Sequence, residues 1–250
     1  MTRTLFLTAL LATATLAQDA YIKAYYTKWK PGKVQEGQRY IQDVLHKNAL
    51  AWAKTDPQAI GQVTMTRVLP SGNEIPYDRL RLVFTSAPPD LGGSGGPGTR
   101  NTPEVNQMLG TLMDGVKTEI WGSVYRHGSI QQGDYVTVLT STQASGKLTA
   151  HRDYLRNWEG PMRTQIVKDG PARGAEAWAL RFTGAGYPYQ YVELIAYPDS
   201  ASAYKSWGSR QAHFAKVHPG KDYYQYREEG ALAVKSVQTV TYRVDLAVWK

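Results

Sequence analysis

The chain has 250 residues, 42% of them hydrophobic, with a mean hydropathy of −0.44. That is enough apolar material for one large or two small cores, and too little for a polytopic helical membrane protein. The formal charge of +8 comes from 29 scattered Lys and Arg against 21 Asp and Glu, without the concentrated basic stripe of a nucleic-acid binder.

There is no cysteine, which excludes disulfides, thiolate nucleophiles and Cys-ligated metals. At the N-terminus, Arg3 precedes an apolar run over 5–12, and Thr15-Leu16-Ala17 precedes a polar start at Gln18. This order reads as a secretory signal peptide over 1–17, too short to remain as a membrane anchor. The expected location is therefore periplasmic or secreted. No integral membrane segment is expected after cleavage, and self-association is left open.

Residues 20–29 alternate as a strand, with Ile22, Ala24 and Tyr26 on one face. Pro31-Gly32 ends it, and Val34, Ile41, Val44, Leu45 and Trp52 then recur at helical spacing until Asp56-Pro57. Residues 63–69 and 77–84 read as strands joined through the turn-forming 70–73. The Gly-rich segment 88–101 reads as a mobile loop. Thr102 caps the next helix, with Pro103 at its first position and Val105, Met108, Leu109, Leu112, Met113 and Val116 as its stripe. A strand over 119–125 completes the order β-α-β-β-α-β, the ferredoxin-like unit.

The same plan returns. Tyr21 and Tyr135, Gly32 and Gly146, and Tyr40 and Tyr154 each stand 114 positions apart, the mark of a duplication. Residues 135–140 form the strand and 147–158 the helix, with Leu148, Leu155 and Met162 inward and an interruption at Gly160-Pro161. Strands follow over 175–183 and 189–197. Asp199 or Ser200 then caps a helix whose inward residues are Tyr204, Trp207, Gln211 and Phe214. A closing strand covers 237–248, and Tyr125-Arg126 and Tyr242-Arg243 give the two last strands a shared pair. The insert 220–235 has no counterpart in the first half, and its tyrosines suggest that it packs. The domains are thus a signal peptide over 1–17 and repeats over 18–131 and 132–250.

Two such units in one chain resemble the dimeric α/β-barrel superfamily. The resemblance implies an α+β fold of two antiparallel sheets facing each other, with helices outside. It also brings in a range of activities: cofactor-free mono-oxygenases, lyases and isomerases, and haem-dependent chlorite dismutase-like proteins. The fold alone selects none of them.

The first and third strands of each unit are expected to lie adjacent and parallel. The loops at 30–33 and 88–101, and those at 144–147 and 197–200, would then meet at one rim as the mouth of a pocket. His151 is the candidate catalytic base. It lies about 40° from Leu155 at about 100° per residue, facing the sheet near the helix start. Its counterpart in the first half is Gly37. Tyr189, Tyr191, Glu193, Tyr204 and Trp207 are the candidate ligand-binding residues, because Tyr and Trp offer an apolar body with a polar tip. Arg181 and Arg243 are available as partners for Glu193.

No histidine pair has metal-ligand spacing, so no metal is expected. The leading reading is non-covalent binding of a small, partly aromatic molecule, without a cofactor. The alternatives are a cofactor-independent mono-oxygenase or isomerase-type enzyme with His151 as base, and haem binding through His151 or His218.

Overall fold

The computed structural model describes residues 20–68, 77–89, 102–183 and 190–250. The first half runs β1 (Tyr21–Trp29), α1 (Val34–Tyr40), a π-helical turn (Ile41–Leu45), α2 (His46–Thr55), β2 (Ala59–Arg67), β3 (Arg79–Thr85), α3 (Pro103–Leu112) and β4 (Met113–Gly128). The second runs β5 (Tyr135–Gln143), α4 (Leu148–Tyr154), a π-helical turn (Leu155–Glu159), α5 (Gly160–Lys168), β6 (Gly174–Thr183), β7 (Tyr191–Tyr197), α6 (Ser200–Gly208), α7 (Arg210–Val217), α8 (Tyr223–Leu232) and β8 (Val234–Trp249). The segment 1–17, the turn 70–73, most of the 88–101 loop and Tyr189 lie outside the described residues.

Within each half the strands lie in the order β4-β1-β3-β2 and β8-β5-β7-β6. The last strands are long because each serves both halves. β4 pairs with β1 and then with β6, and β8 pairs with β5 and then with β2. The result is one closed, eight-stranded antiparallel barrel. Closure removes every free sheet edge.

One expectation is overturned here. β1 and β3 pair antiparallel, as do β5 and β7, because the crossover helix returns the chain parallel to its start and the hairpin then reverses it. The loops after the first and third strands therefore lie at opposite ends of each sheet, and they form no common rim.

Strand alternation decides what lies inside. Ile22, Ala24 and Tyr26 point into the barrel as their spacing requires, joined by Phe84, Trp121, Trp178, Val192, Leu194 and Tyr242. The interior is packed rather than open. Its polar tips are satisfied: the Tyr26 hydroxyl and the Trp121 Nε1 each donate to Glu119 Oε2 at 3.0 Å. Register shows that the two Tyr-Arg pairs are not equivalent. Trp29 pairs with Met113 and Gln143 with Val234, which aligns Tyr242 with Trp121, while Tyr125 packs outside the barrel.

The helices cover the outer face. Thr102 caps α3 through a bond from the Val105 amide, with Pro103 at the first turn, and Asp199 caps α6 through the Ser202 amide. The π turns at Ile41–Leu45 and Leu155–Glu159 are again 114 residues apart. The second ends just before Gly160-Pro161, but the first has no proline after it, so proline is not the cause. Each π turn widens the helix and keeps a row of residues four apart on one face. Gly37, Ile41, Leu45, Ala49 and Ala53 are all buried, as are His151, Leu155, Glu159 and Arg163.

Val34 and Leu148 precede these rows and are exposed, contrary to the helical count. Met108, within α3, is exposed as well, and so is Val116, since α3 stops at Leu112 and the chain turns into β4 before it.

Candidate functional site

A cavity of about 400 Å³ lies outside the barrel in the second half, between the sheet and the helical layer. The outward residues of β5 and β7, including Leu139, Ser141 and Glu193, form one wall. His151 and Tyr154 of α4, Glu159 and Arg163 line it from the helix, and Arg210 of α7 joins them. The buried Gly230 and the exposed Trp207, Arg227, Lys235 and Val237 complete the lining, the exposed four marking its open side.

The insert after Pro219 builds part of this wall. It forms α8, and Gly230 lets α8 approach closely, since a Cβ there would run into the Tyr154 ring. The segment does pack, as its tyrosines suggested: Tyr226 is buried, although Tyr224 is exposed.

His151 is where its offset predicted, 3% exposed and facing the sheet. Its ring is stacked on Tyr154 at 6.1 Å and meets Tyr191 edge-on at 5.0 Å. Nε2 is 3.4 Å from Ser141 Oγ, which also accepts from Gln143 Nε2 at 3.0 Å. Nδ1 is buried with no hydrogen-bond partner. Burial pushes the imidazole down to about 4, against an opposing pull from Glu159, so the ring is neutral near pH 7.

The floor is ionic. Glu159 Oε1 accepts from Arg210 at 2.9 Å and lies 2.6 Å from Arg163 Nε. The Tyr154 hydroxyl donates to Glu159 Oε2 at 3.4 Å, and the Tyr226 hydroxyl donates to the same oxygen. Burial alone would raise the Glu159 carboxyl, but the two guanidiniums hold it down to about 2.

Glu193 is in the opposite condition. Burial, reinforced by the Glu159 charge, pushes it up to about 7 despite Arg163, Arg210 and the Tyr125 hydroxyl at 3.5 Å. Two carboxyls on one floor are thus set far apart in proton affinity, the arrangement that separates acid and base roles.

Of the residues singled out from sequence, His151 and Glu193 line the cavity, while Tyr191 stands behind the His151 ring and donates to the Leu148 carbonyl at 3.2 Å. Trp207 stands at the mouth, 52% exposed, with the Arg210 guanidinium 5.0 Å above its ring. Tyr204 does not belong. It is 80% exposed, because the helix breaks at Gly208-Ser209 and the buried face of α6 and α7 becomes Ser206, Arg210, His213 and Phe214. Gln211 is exposed for the same reason. The arginines of Glu193 are Arg163 and Arg210, since Arg181 and Arg243 are exposed. His218 does not line the cavity; its Nε2 lies 3.2 Å from the Trp158 carbonyl.

Glu159, Arg163, Arg210 and Tyr226 were missed by sequence reasoning. The signal was present, since Glu159 and Arg163 continue the four-residue row from His151 and Leu155.

The equivalent space in the first half is filled. Gly37 stands where His151 does, and the Trp29 ring packs so closely on it that a Cβ would overlap. Leu45 and Ala49 take the places of Glu159 and Arg163, within an apolar cluster.

No family model matches the sequence, and no curated protein does. Solved structures do match in shape. A proposed monooxygenase from Lactobacillus acidophilus NCFM superposes with a TM-score of 0.65 at 10% identity, covering 93% of this chain and 97% of that one. A proposed monooxygenase from Fusobacterium nucleatum subsp. nucleatum gives 0.62 at 6% identity, covering 92% and 94%. An anthrone oxidase-like protein gives 0.55 at 12% identity, covering 93% and 94%. At these identities the likeness is one of fold. Together with the strand order and the closed barrel, it establishes that this chain has the dimeric α/β-barrel fold, carried as two ferredoxin-like repeats in a single polypeptide.

Proposed function

We propose that the protein is exported and binds a small, partly aromatic molecule in the second-half cavity. The observation that carries this is the cavity itself, about 400 Å³ between the sheet and the helical layer, with the His151 ring on its wall and an ionic floor. Tyr154, Trp207 and Leu139 supply flat or apolar surface, and the polar groups converge from the floor, which is the usual make-up of a small-molecule site. Export rests on the N-terminal run alone.

Tryptophan fluorescence, to which Trp207 contributes at the mouth, tests the binding. Titration with 1-naphthol or 1-naphthoate is expected to give a saturable change. Its absence with both would count against the cavity as a ligand site.

A second reading, cofactor-independent proton abstraction from an activated organic substrate, is favoured by Glu193. A general base works best with a proton affinity near the working pH. Glu193, at about 7, meets that condition and His151, at about 4, does not. In this reading Glu193 takes the proton, and His151, neutral, orients the substrate oxygen. The oxygenase descriptions of the fold neighbours are compatible with it. Uptake of dioxygen with a bound phenol, lost in Glu193→Gln, is its test.

Haem suits this donor set least. His218 is committed to the Trp158 carbonyl, between Trp158 and Phe214. The cavity beside His151 has an ionic floor, where a porphyrin face calls for apolar walls.

A further inference from the structure

The cavity carries an excess of cations. Four cations, Arg163, Arg210, Arg227 and Lys235, line it against two carboxylates, Glu159 and Glu193. Glu159 is saturated by Arg163, Arg210 and two tyrosine hydroxyls. Arg227 and Lys235 are exposed at the opening and make no ion pair among the described residues. Unpaired cations at the edge of one cavity call for a molecule that brings negative charge, since a charge-assisted bond is about twice as strong as a neutral one.

We propose that the ligand of this cavity is an aromatic acid, with a carboxylate or comparable oxyanion held at the mouth by Arg227 and Lys235 and its ring directed inward past Trp207 toward His151. This rests on the reading of the cavity as a ligand site and adds the chemical class. The mouth explains the polarity: the two cations are on α8 and at the start of β8, while the aromatic and apolar walls, Tyr154 and Leu139, lie behind them. The insert that forms α8 therefore supplies selectivity as well as a wall.

A matched pair of probes tests the class: 1-naphthoate and 1-naphthamide, which share a ring and differ in charge. Binding to the full chain is measured by calorimetry near neutral pH, with and without added salt. The acid is expected to bind about tenfold or more tightly than the amide. Salt should narrow the gap, and the exposed-site double variant Arg227→Gln/Lys235→Gln should close it. Equal affinity for acid and amide would overturn the acid class while leaving the cavity as a ligand site. A preference for the acid that survives the double variant would overturn the assignment to the mouth. Failure of both probes to bind would overturn this inference and the cavity reading together.

Discussion

His151 and Gly37 stand on equivalent turns of the two helical layers, and the glycine is there because the Trp29 ring fills the space its side chain would take. In the second half the residue matching Trp29 is Gln143, a smaller group bonded to Ser141. The exchange of one tryptophan for one glutamine opens the sheet–helix layer and gives His151 room. Duplication thus yields one half whose helical layer is an apolar core and one that holds a cavity.

The first prediction separates the roles of His151. Its Nδ1 makes no hydrogen bond in the folded state, so His151→Gln should leave stability within about 1 kcal/mol of the parent. The same change should weaken probe binding about tenfold or more, since the ring lines the cavity. Thermal melts and titrations of the two proteins check this. A large loss of stability with binding intact would make His151 a core residue only.

The second concerns pH. The Glu193 carboxyl is raised from 4.5 to about 7 in the folded state, so the folded protein holds a proton that the unfolded chain releases. Stability from this group is fully present below about pH 4.5 and is lost as pH rises through about 7. Glu193→Gln cannot ionise. It should match the parent at acid pH and exceed it by roughly 1–3 kcal/mol above pH 7. Glu159 has the opposite sign: lowered to about 2, it stabilises above about pH 4.5 and loses that contribution on acidification. His151, lowered to about 4, also disfavours folding as pH falls below about 6.5. Denaturant curves of parent and Glu193→Gln across this range isolate the Glu193 term as their difference.

Much of the fold was legible because strand alternation and the 114-residue offset are local signals. Ile22, Ala24 and Tyr26 are inside as their alternation required, and His151 faces the sheet because one helical step from Leu155 carries little accumulated error. What failed failed through geometry that the pattern does not encode. Tyr204 was placed inward by continuing one helical count across a helix that breaks at Gly208-Ser209. Glu159 was passed over because a charged residue reads as solvent-facing, although its spacing from Leu155 put it inside. Its partners, Arg210 and Tyr226, come from helices more than 50 residues away, and no local pattern connects them.

The third prediction tests the buried ionic floor. Removing one partner of a buried ion pair costs about 3–5 kcal/mol, because the other charge stays unpaired. Glu159→Leu leaves Arg163 and Arg210 with Glu193 as their one remaining carboxylate and should lie toward the lower end of that range. Adding Arg163→Ala reproduces the Leu45 and Ala49 pair of the first half and should recover part of the loss. Urea denaturation of the single and double variants measures this; an additive double variant would show that the two residues are not energetically linked.

The fourth concerns the N-terminus. Arg3, the apolar run over 5–12 and Thr15-Leu16-Ala17 predict that protein recovered from the periplasm or medium of its host begins at Gln18. N-terminal sequencing checks it. Recovery from the cytoplasm with Met1 retained would contradict export.

The account's central claim is that the second-half cavity beside His151 is the ligand site and that the first half is closed by Trp29. Gln143→Trp/His151→Gly transplants the first half's plug into the second, and probe titration of this variant is the most direct measurement. The account predicts a folded protein that melts cooperatively near the parent and no longer binds 1-naphthoate, while the parent binds one molecule per chain. Undiminished binding by the plugged, folded variant would contradict it and place the site elsewhere on the chain.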